Sequence, residues 1–175
     1  MKKFFNSKRK GFTLVELLIV IVVIGILSAM MMLSSSEAVS SAKATAIVSD
    51  LRNLKTAALA YFADHADDYI TGSWSSNTDL KTTNELDTVF TYLNGQDFPN
   101  KKSYNVVYKN DQKAWYAECN IGSGSDKLLT GTELDSVKKK LAGRAKSVGL
   151  YGTNASKIYS EATGDAQNYV LMLIQ

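Results

Sequence analysis

One carboxylate interrupts the most apolar part of this sequence. In the stretch KGFTLVELLIVIVVIGIL, residues 10–27, Glu16 lies four residues after Phe12, and no charge follows it before the stretch ends. An acid costs up to about 2.5–3.5 kcal/mol at the centre of a membrane-spanning helix, and such residues usually have a specific partner. The chemistry that Glu16 could do is to pair with a cation in a medium of low dielectric constant.

Other reactive side chains form no recognisable catalytic set. His65 is the single histidine, at a predicted helix end, and no nucleophile or phosphate-binding motif accompanies it. Cys119 is the single cysteine, so it cannot form an intrachain disulfide, and we expect a small buried residue. We therefore expect no enzymatic activity and no cofactor.

Charge divides the chain unevenly. The sequence has 20 Lys and Arg against 17 Asp and Glu, but residues 1–11 hold five of the bases and no acid. The remainder carries 15 bases against 17 acids, a formal charge of −2. The basic character belongs to the N-terminus, so it does not indicate that the body of the protein binds nucleic acid.

The apolar segment 12–33 is long enough to cross a membrane. As a helix its 22 residues span about 33 Å. Because bases precede it, the N-terminus should stay in the cytoplasm while the body crosses. A secretory signal peptide has a shorter apolar region, and a plain signal anchor explains length and orientation. Neither explains Glu16.

The motif KRKGFTLVE, residues 8–16, followed by the apolar run, resembles the class III signal of type IV pilins and type II secretion pseudopilins. The resemblance covers about the first 60 residues. It implies that a membrane prepilin peptidase cuts after Gly11 and methylates the new N-terminal amine of Phe12, as in N-methylphenylalanine pilins. It also implies that Glu16 pairs with the N-terminal amine of a neighbouring subunit, so that Glu16 is costly in an isolated chain and satisfied in an assembly.

The resemblance implies a prepilin, the structural subunit of a type IV pilus or related filament. Its partners would be further subunits, the peptidase and methyltransferase, membrane lipid before assembly and, indirectly, an assembly ATPase and an inner-membrane platform. It would first reside in the cytoplasmic membrane with its C-terminal domain outside, and then in an extracellular or periplasmic filament. The alternatives are a pseudopilin of a type II secretion or competence system, and a membrane-anchored binding domain with a pilin-like leader.

Two groups of charged residues are weaker candidates for binding sites. Pseudopilins often hold calcium, and Asp126 and Asp165 could be ligands here, but the alternating acids of a calcium loop are missing. A basic run could contact DNA phosphates weakly, repeated along a polymer, although a solvated helix face is the simpler interpretation. The run consists of Lys138, Lys139, Lys140, Arg144 and Lys146.

Four segments are expected to position these residues: a cleaved leader 1–11, a transmembrane and polymerisation helix 12–33, its amphipathic continuation 34–69, and an extracytoplasmic globular domain 70–175. The continuation should carry the domain on one apolar stripe. The stripe comprises Ala44, Ile47, Leu51, Leu54, Ala58 and Tyr61. Many pilins have a proline in the span; this chain has only Gly25, which leaves open whether the span melts locally.

The domain should contain short elements. The sequence predicts a helix starting at 83–86, a hairpin from SYNVVYK (103–109) and KAWYAEC (113–119), a helix capped by Thr132, and a last strand within 168–175. The predicted fold is therefore α+β and pilin-like. A long N-terminal helix, with its first half transmembrane, packs on a small antiparallel sheet.

Overall fold

The computed structural model describes residues 11–66, 80, 85–93, 98, 100–131, 133–153, 155–160 and 168–175, apart from the side chains of residues 32–34. The chain divides into two compact units, Met1–Ala38 and Val39–Gln175, and each is described by itself. Helix α1, Leu14–Asp64, contributes residues to both units. Its 51 residues run through the predicted helix 12–33 and most of its predicted continuation 34–69.

In the first unit, every described side chain is exposed. The run of Leu, Ile and Val after Thr13 contains no proline and one glycine, Gly25, so nothing breaks the helix. An added methyl group at Gly25 would meet no atom within 4 Å. The first half of α1 therefore presents a continuous apolar surface.

In the second unit, α1 supplies one wall of the hydrophobic core. The predicted stripe from Ala44 to Tyr61 is buried, with no member more than 4% exposed, which confirms that prediction. Val48, Ala57 and Phe62 widen the stripe. The 3- and 4-residue spacing places all these side chains on one side of the helix, where they bury apolar surface against the sheet.

The sheet has four antiparallel strands in the order β1-β2-β4-β3. The bounds are β1, Tyr104–Lys109; β2, Ala114–Asn120; β3, Leu150–Tyr151; and β4, Tyr169–Leu173. The predicted hairpin is confirmed, with Tyr104 opposite Cys119 and Lys109 opposite Ala114. The predicted last strand is confirmed as β4, which lies between β2 and β3. The two-residue β3 was not predicted.

Two further helices complete the second unit: α2, Leu86–Thr91, and α3, Glu133–Val148. The helix predicted after Thr132 is present as α3, and its Val137, Leu141 and Ala145 are fully buried in the same core cluster as α1. Thr132, the predicted cap, lies outside the described residues, as does the predicted boundary at 69–70. The long helix packed on a small antiparallel sheet is an α+β, pilin-like arrangement.

Residues at both ends of helix α3 contact one short stretch of α1. Glu133 pairs with Lys43, and Arg144 donates hydrogen bonds to the hydroxyl oxygens of Thr45 and Ser41 at 2.6 and 3.0 Å. The two α3 residues are eleven positions apart, about 16 Å along a helix, whereas their α1 partners span only about 6 Å. These contacts hold α3 against the start of the second unit.

A polar pair lies between α1 and the sheet. The hydroxyl of Tyr104, a residue 1% exposed, donates a hydrogen bond of 2.7 Å to Oδ2 of Asp50. Loss of hydration raises the pKa of Asp50 from its ordinary value of 3.8, and the hydrogen bond from Tyr104 opposes that rise. The pKa of Tyr104 is raised in turn, chiefly by burial.

Alanine should have opposite effects on stability at two glycines, one inside α3 and one directly after it. An added methyl group at Gly143 meets nothing within 4 Å, so Gly143→Ala should stabilise the protein by up to about 1 kcal/mol through helix propensity. Gly149 ends the helix at φ +76°, so Gly149→Ala should destabilise it by about 1–2 kcal/mol. Urea unfolding of the full chain in detergent measures both, and destabilisation by Gly143→Ala would contradict the described helix.

Asp50 should make stability depend on pH. Its folded pKa is raised, so its contribution is fully present below the unfolded pKa and is lost as pH rises through the folded pKa. The free energy of unfolding of Asp50→Asn, relative to the unsubstituted protein, should therefore increase as the pH rises above the ordinary pKa of 3.8. Tyr104→Phe removes the opposing hydrogen bond and should move the change to higher pH. A pH-independent difference would refute this role of Asp50.

Candidate assembly site at the N-terminus

The bond between Gly11 and Phe12 lies just before α1. Gly11, Phe12 and Thr13 have no regular secondary structure, and all three are exposed; the Phe12 side chain is 91% exposed. An added methyl group at Gly11 would meet nothing within 4 Å. A peptidase could therefore reach this bond without unwinding the helix.

Thr13 and Glu16 cap the start of α1 reciprocally. Oε2 of Glu16 accepts hydrogen bonds from the backbone N–H and the hydroxyl of Thr13, both at 2.8 Å. The backbone N–H of Glu16 donates to Oγ1 of Thr13 at 3.2 Å. Leu17 donates the first helical bond to the carbonyl of Thr13. This is a capping box, with Thr13 as the N-cap and Glu16 at the third helical position.

The expectation that Glu16 is costly in an isolated chain stays a prediction. The capping box adds that the Glu16 carboxylate has two donors from its own chain. The physical reason is that the first N–H groups of a helix have no intrahelical acceptor, and a nearby carboxylate supplies one. The signal was present in the sequence as Thr-x-x-Glu before an apolar run.

The box leaves the carboxylate able to bind a cation. Both bonds end on Oε2, and an ionised carboxylate offers about four acceptor positions. A positively charged amine could therefore be added without breaking the contacts to Thr13. The box also orients the carboxylate toward the end of the helix at which a cut after Gly11 would create that amine.

Exposed apolar side chains surround this site on the helix. Phe12, Leu14, Val15, Leu17 and Leu18 are each more than 50% exposed. Among the described residues, α1 is the one helix with the length and apolar composition needed to cross a membrane. An acid with a capping partner thus lies at the start of a segment suited to lipid or to a helix bundle.

The residues predicted for DNA contact are not equally available. Arg144 is bound to α1, and Nζ of Lys138 donates to Oδ1 of Asn168 at 2.9 Å. Lys139 and Lys146 are exposed, and Lys140 is half-exposed. The structure thus commits two of the five bases to packing, through contacts that no local sequence pattern reveals.

The remaining candidates are scattered. Asp126 is half-exposed and Asp165 lies outside the described residues; within the described part of the chain, no three His, Cys, Asp or Glu side chains cluster as metal ligands would. His65 stacks on Tyr61 with ring centroids 4.2 Å apart. Cys119 is fully buried, as predicted, and burial raises the pKa of its thiol.

Comparison with known proteins bears on this N-terminus. Residues 6–32 match the family described as the prokaryotic N-terminal methylation motif. The chain resembles a type IV pilin at its N-terminus. The pilin-like motif includes Gly11, Phe12, Thr13 and Glu16, which confirms the resemblance stated from the sequence.

A curated relative agrees with this resemblance. A fimbrial protein of Neisseria meningitidis serogroup A / serotype 4A (strain DSM 15465 / Z2491) is 33% identical over 72 residues, which are 41% of this chain. The chain spans 39% of the length of that relative. No solved structure matches the chain. The motif and the fimbrial relative together support a pilin-type subunit.

Removing the Thr13 hydroxyl should loosen the start of α1. Thr13→Val loses the bonds through Oγ1, and an N-cap is worth about 1 kcal/mol, which is about fivefold in local opening. The amide of Glu16 should then exchange with deuterium about fivefold faster. Mass spectrometry of the full precursor in lipid nanodiscs measures the exchange. Thr13→Ser keeps the hydroxyl and should behave as the unsubstituted chain; equal exchange in Thr13→Val would refute the capping box.

Proposed function

We propose that this chain is a prepilin. It is cut between Gly11 and Phe12, methylated on the Phe12 amine, and polymerised through its N-terminal helix as a structural subunit of a type IV pilus or related filament. Its role is structural and not catalytic. Before assembly it is anchored in the cytoplasmic membrane with the second unit outside.

The observation that carries the proposal is the capped carboxylate directly after a scissile position. The Gly11–Phe12 bond precedes the helix. The Glu16 side chain, three residues after Thr13, is directed back to Thr13 and therefore toward the N-terminal end of the helix. The surrounding apolar residues are exposed. A plain membrane anchor needs none of this arrangement, because a helix cap without charge would serve it equally well.

Cleavage would convert a neutral amide into a cation next to this acid. An amine in apolar surroundings is costly unless it is paired, and the attraction to a carboxylate is strong in a medium of low dielectric constant. The carboxylate of the same chain or that of an adjacent chain could pair with it. We infer that the pair between chains forms in the filament, where it fixes how far one helix is displaced along the next.

Apolar packing alone would not set that displacement. Lipid tails are as apolar as the Leu, Ile and Val side chains of α1, so helix association in a membrane gains little from the hydrophobic effect. A uniform aliphatic surface also offers many near-equivalent alignments. A single charge near one end of the helix distinguishes one alignment from the others.

The fimbrial relative favours a surface pilus, whereas a pseudopilin of a type II secretion or competence system is the alternative within the same architecture. A membrane-anchored binding domain with a pilin-like leader is the contrasting hypothesis. N-terminal mass spectrometry of the mature protein and filament recovery from sheared cells separate these classes. A chain that still begins at Met1, with no multimer, would exclude the filament role.

Glu16→Gln separates the charge of Glu16 from its capping role. Glutamine also forms capping boxes, so the helix start and the cleavage should persist. Filament yield should fall at least about tenfold, since leaving one member of a buried ion pair alone costs about 3–5 kcal/mol. Electron microscopy and shear recovery measure the yield.

The matched control is Glu37→Gln, which removes the same charge from an exposed position on the same helix. Filament yield should be unchanged in this variant. Normal filaments in Glu16→Gln, or equal losses in both variants, would contradict the proposed ion pair.

A further inference from the structure

One flank of α3 faces the first residues of the second unit. Glu133, Lys140 and Arg144 are seven and four positions apart, so they share one side of the helix. The outer two contact α1 within Ser41–Thr45. Lys140 lies between them on the same flank and is half-exposed.

The opposite flank faces the body of the unit. Lys138 points that way and donates to Asn168, the residue before β4. These contacts therefore hold one flank of α3 against α1 and the opposite flank against the residue before β4. Because Lys140 is on the first flank, it lies beside the start of the second unit.

The outer surface of α3 adds two more bases. Lys139 and Lys146 are exposed on the same side as Gly143, where an added methyl group meets no atom within 4 Å. Lys43 pairs with Glu133, whereas Asp135 lies four positions before Lys139 and is an acid on the same surface. The basic surface, defined as Lys139, Lys140 and Lys146 around Gly143, keeps a net positive charge with Asp135 included and is open to a large anion.

The chain length limits how far this surface can lie from the apolar segment. Ser41, which binds Arg144, follows Leu33 by eight residues. Eight residues span at most about 29 Å when fully extended and about 12 Å as a helix. Headgroups extend about 5–8 Å beyond the hydrocarbon core on each side, and the Debye length is about 8 Å at physiological salt. Arg144 is bound at Ser41 and lies one turn after Lys140, so this length of chain allows the lysine side chains to reach the headgroup layer.

We propose that the basic surface binds the headgroups of anionic phospholipids while the unassembled subunit is inserted in the membrane. This inference rests on the proposed membrane insertion, and it adds a second lipid contact made by the folded domain. Lipid is favoured over DNA because Arg144 and Lys138 are committed to packing, and three lysines form a short patch instead of a track along a duplex. Assembly into a filament would require the patch to leave the headgroups.

The test uses the full precursor in nanodiscs of phosphatidylcholine, with or without phosphatidylglycerol. A fluorophore on Ser147→Cys reports the position of the exposed face, since Cys119 is fully buried and should escape labelling. Quenching by spin-labelled headgroups should be stronger with phosphatidylglycerol and should weaken in about 1 M salt, where the Debye length is about 3 Å. Each lysine should raise the equilibrium constant for binding of the basic surface to the headgroups about fivefold. Lys→Gln at 139, 140 and 146 together should therefore lower that constant by on the order of 100-fold.

The matched control replaces Lys113, Lys127 and Lys157 with Gln, which removes the same charge from three exposed positions elsewhere. This variant should keep the effect of phosphatidylglycerol. Equal quenching in both lipids, or equal losses in both triple variants, would overturn the proposal. Binding of a short DNA duplex through the same three lysines, with no effect of phosphatidylglycerol, would show that the ligand of the basic surface is DNA and not lipid, and would overturn the proposal. Failure of the precursor to enter nanodiscs would overturn the membrane role itself.

Discussion

The unpaired N–H groups of the first turn of α1 are the constraint on which the N-terminal unit depends, above all in the proposed membrane-inserted state. Lipid contains no water to satisfy backbone N–H groups, so each unsatisfied donor costs several kcal/mol. The Glu16 carboxylate accepts from the N–H group of Thr13, and the Thr13 hydroxyl oxygen accepts from the N–H group of Glu16. An acid that looks unfavourable by hydropathy is therefore part of what lets the helix begin.

The same side chain can serve two states of the protein. In the uncut chain its oxygen accepts from Thr13, and the proposed cut after Gly11 would create a cation at the same end of the helix. No large movement of the helix is needed between these states. The cap pre-orients the carboxylate, which lowers the entropy that pairing with an adjacent chain would otherwise cost.

Local patterns predicted most of the elements and little of their arrangement. The hairpin between β1 and β2, the apolar stripe of α1 and the buried face of α3 follow from periodicity and β-propensity, and all are found. The strand order was not predictable, since β4 pairs with strands far away in the sequence. Likewise, Arg144 bonds to residues 99 and 103 positions earlier, and no local signal indicates such contacts. The capping box is a local pattern, Thr-x-x-Glu, but hydropathy detects only its charge and not the cap.

The position of β4 between β2 and β3 sets the order in which the second unit can form. The hairpin of β1 and β2 is local and can close early. The remaining hydrogen bonds of β2, and the pairing of β3, require β4, Tyr169–Leu173, to be in place. Trp115 and Leu150 belong to the same buried core cluster as Val170 and Met172 of β4. Under the proposed topology, in which the second unit crosses the membrane, this order would delay the finished sheet until almost all of the unit has been translocated. A chain that stays open during passage can move through a narrow conduit, and it becomes compact on the far side.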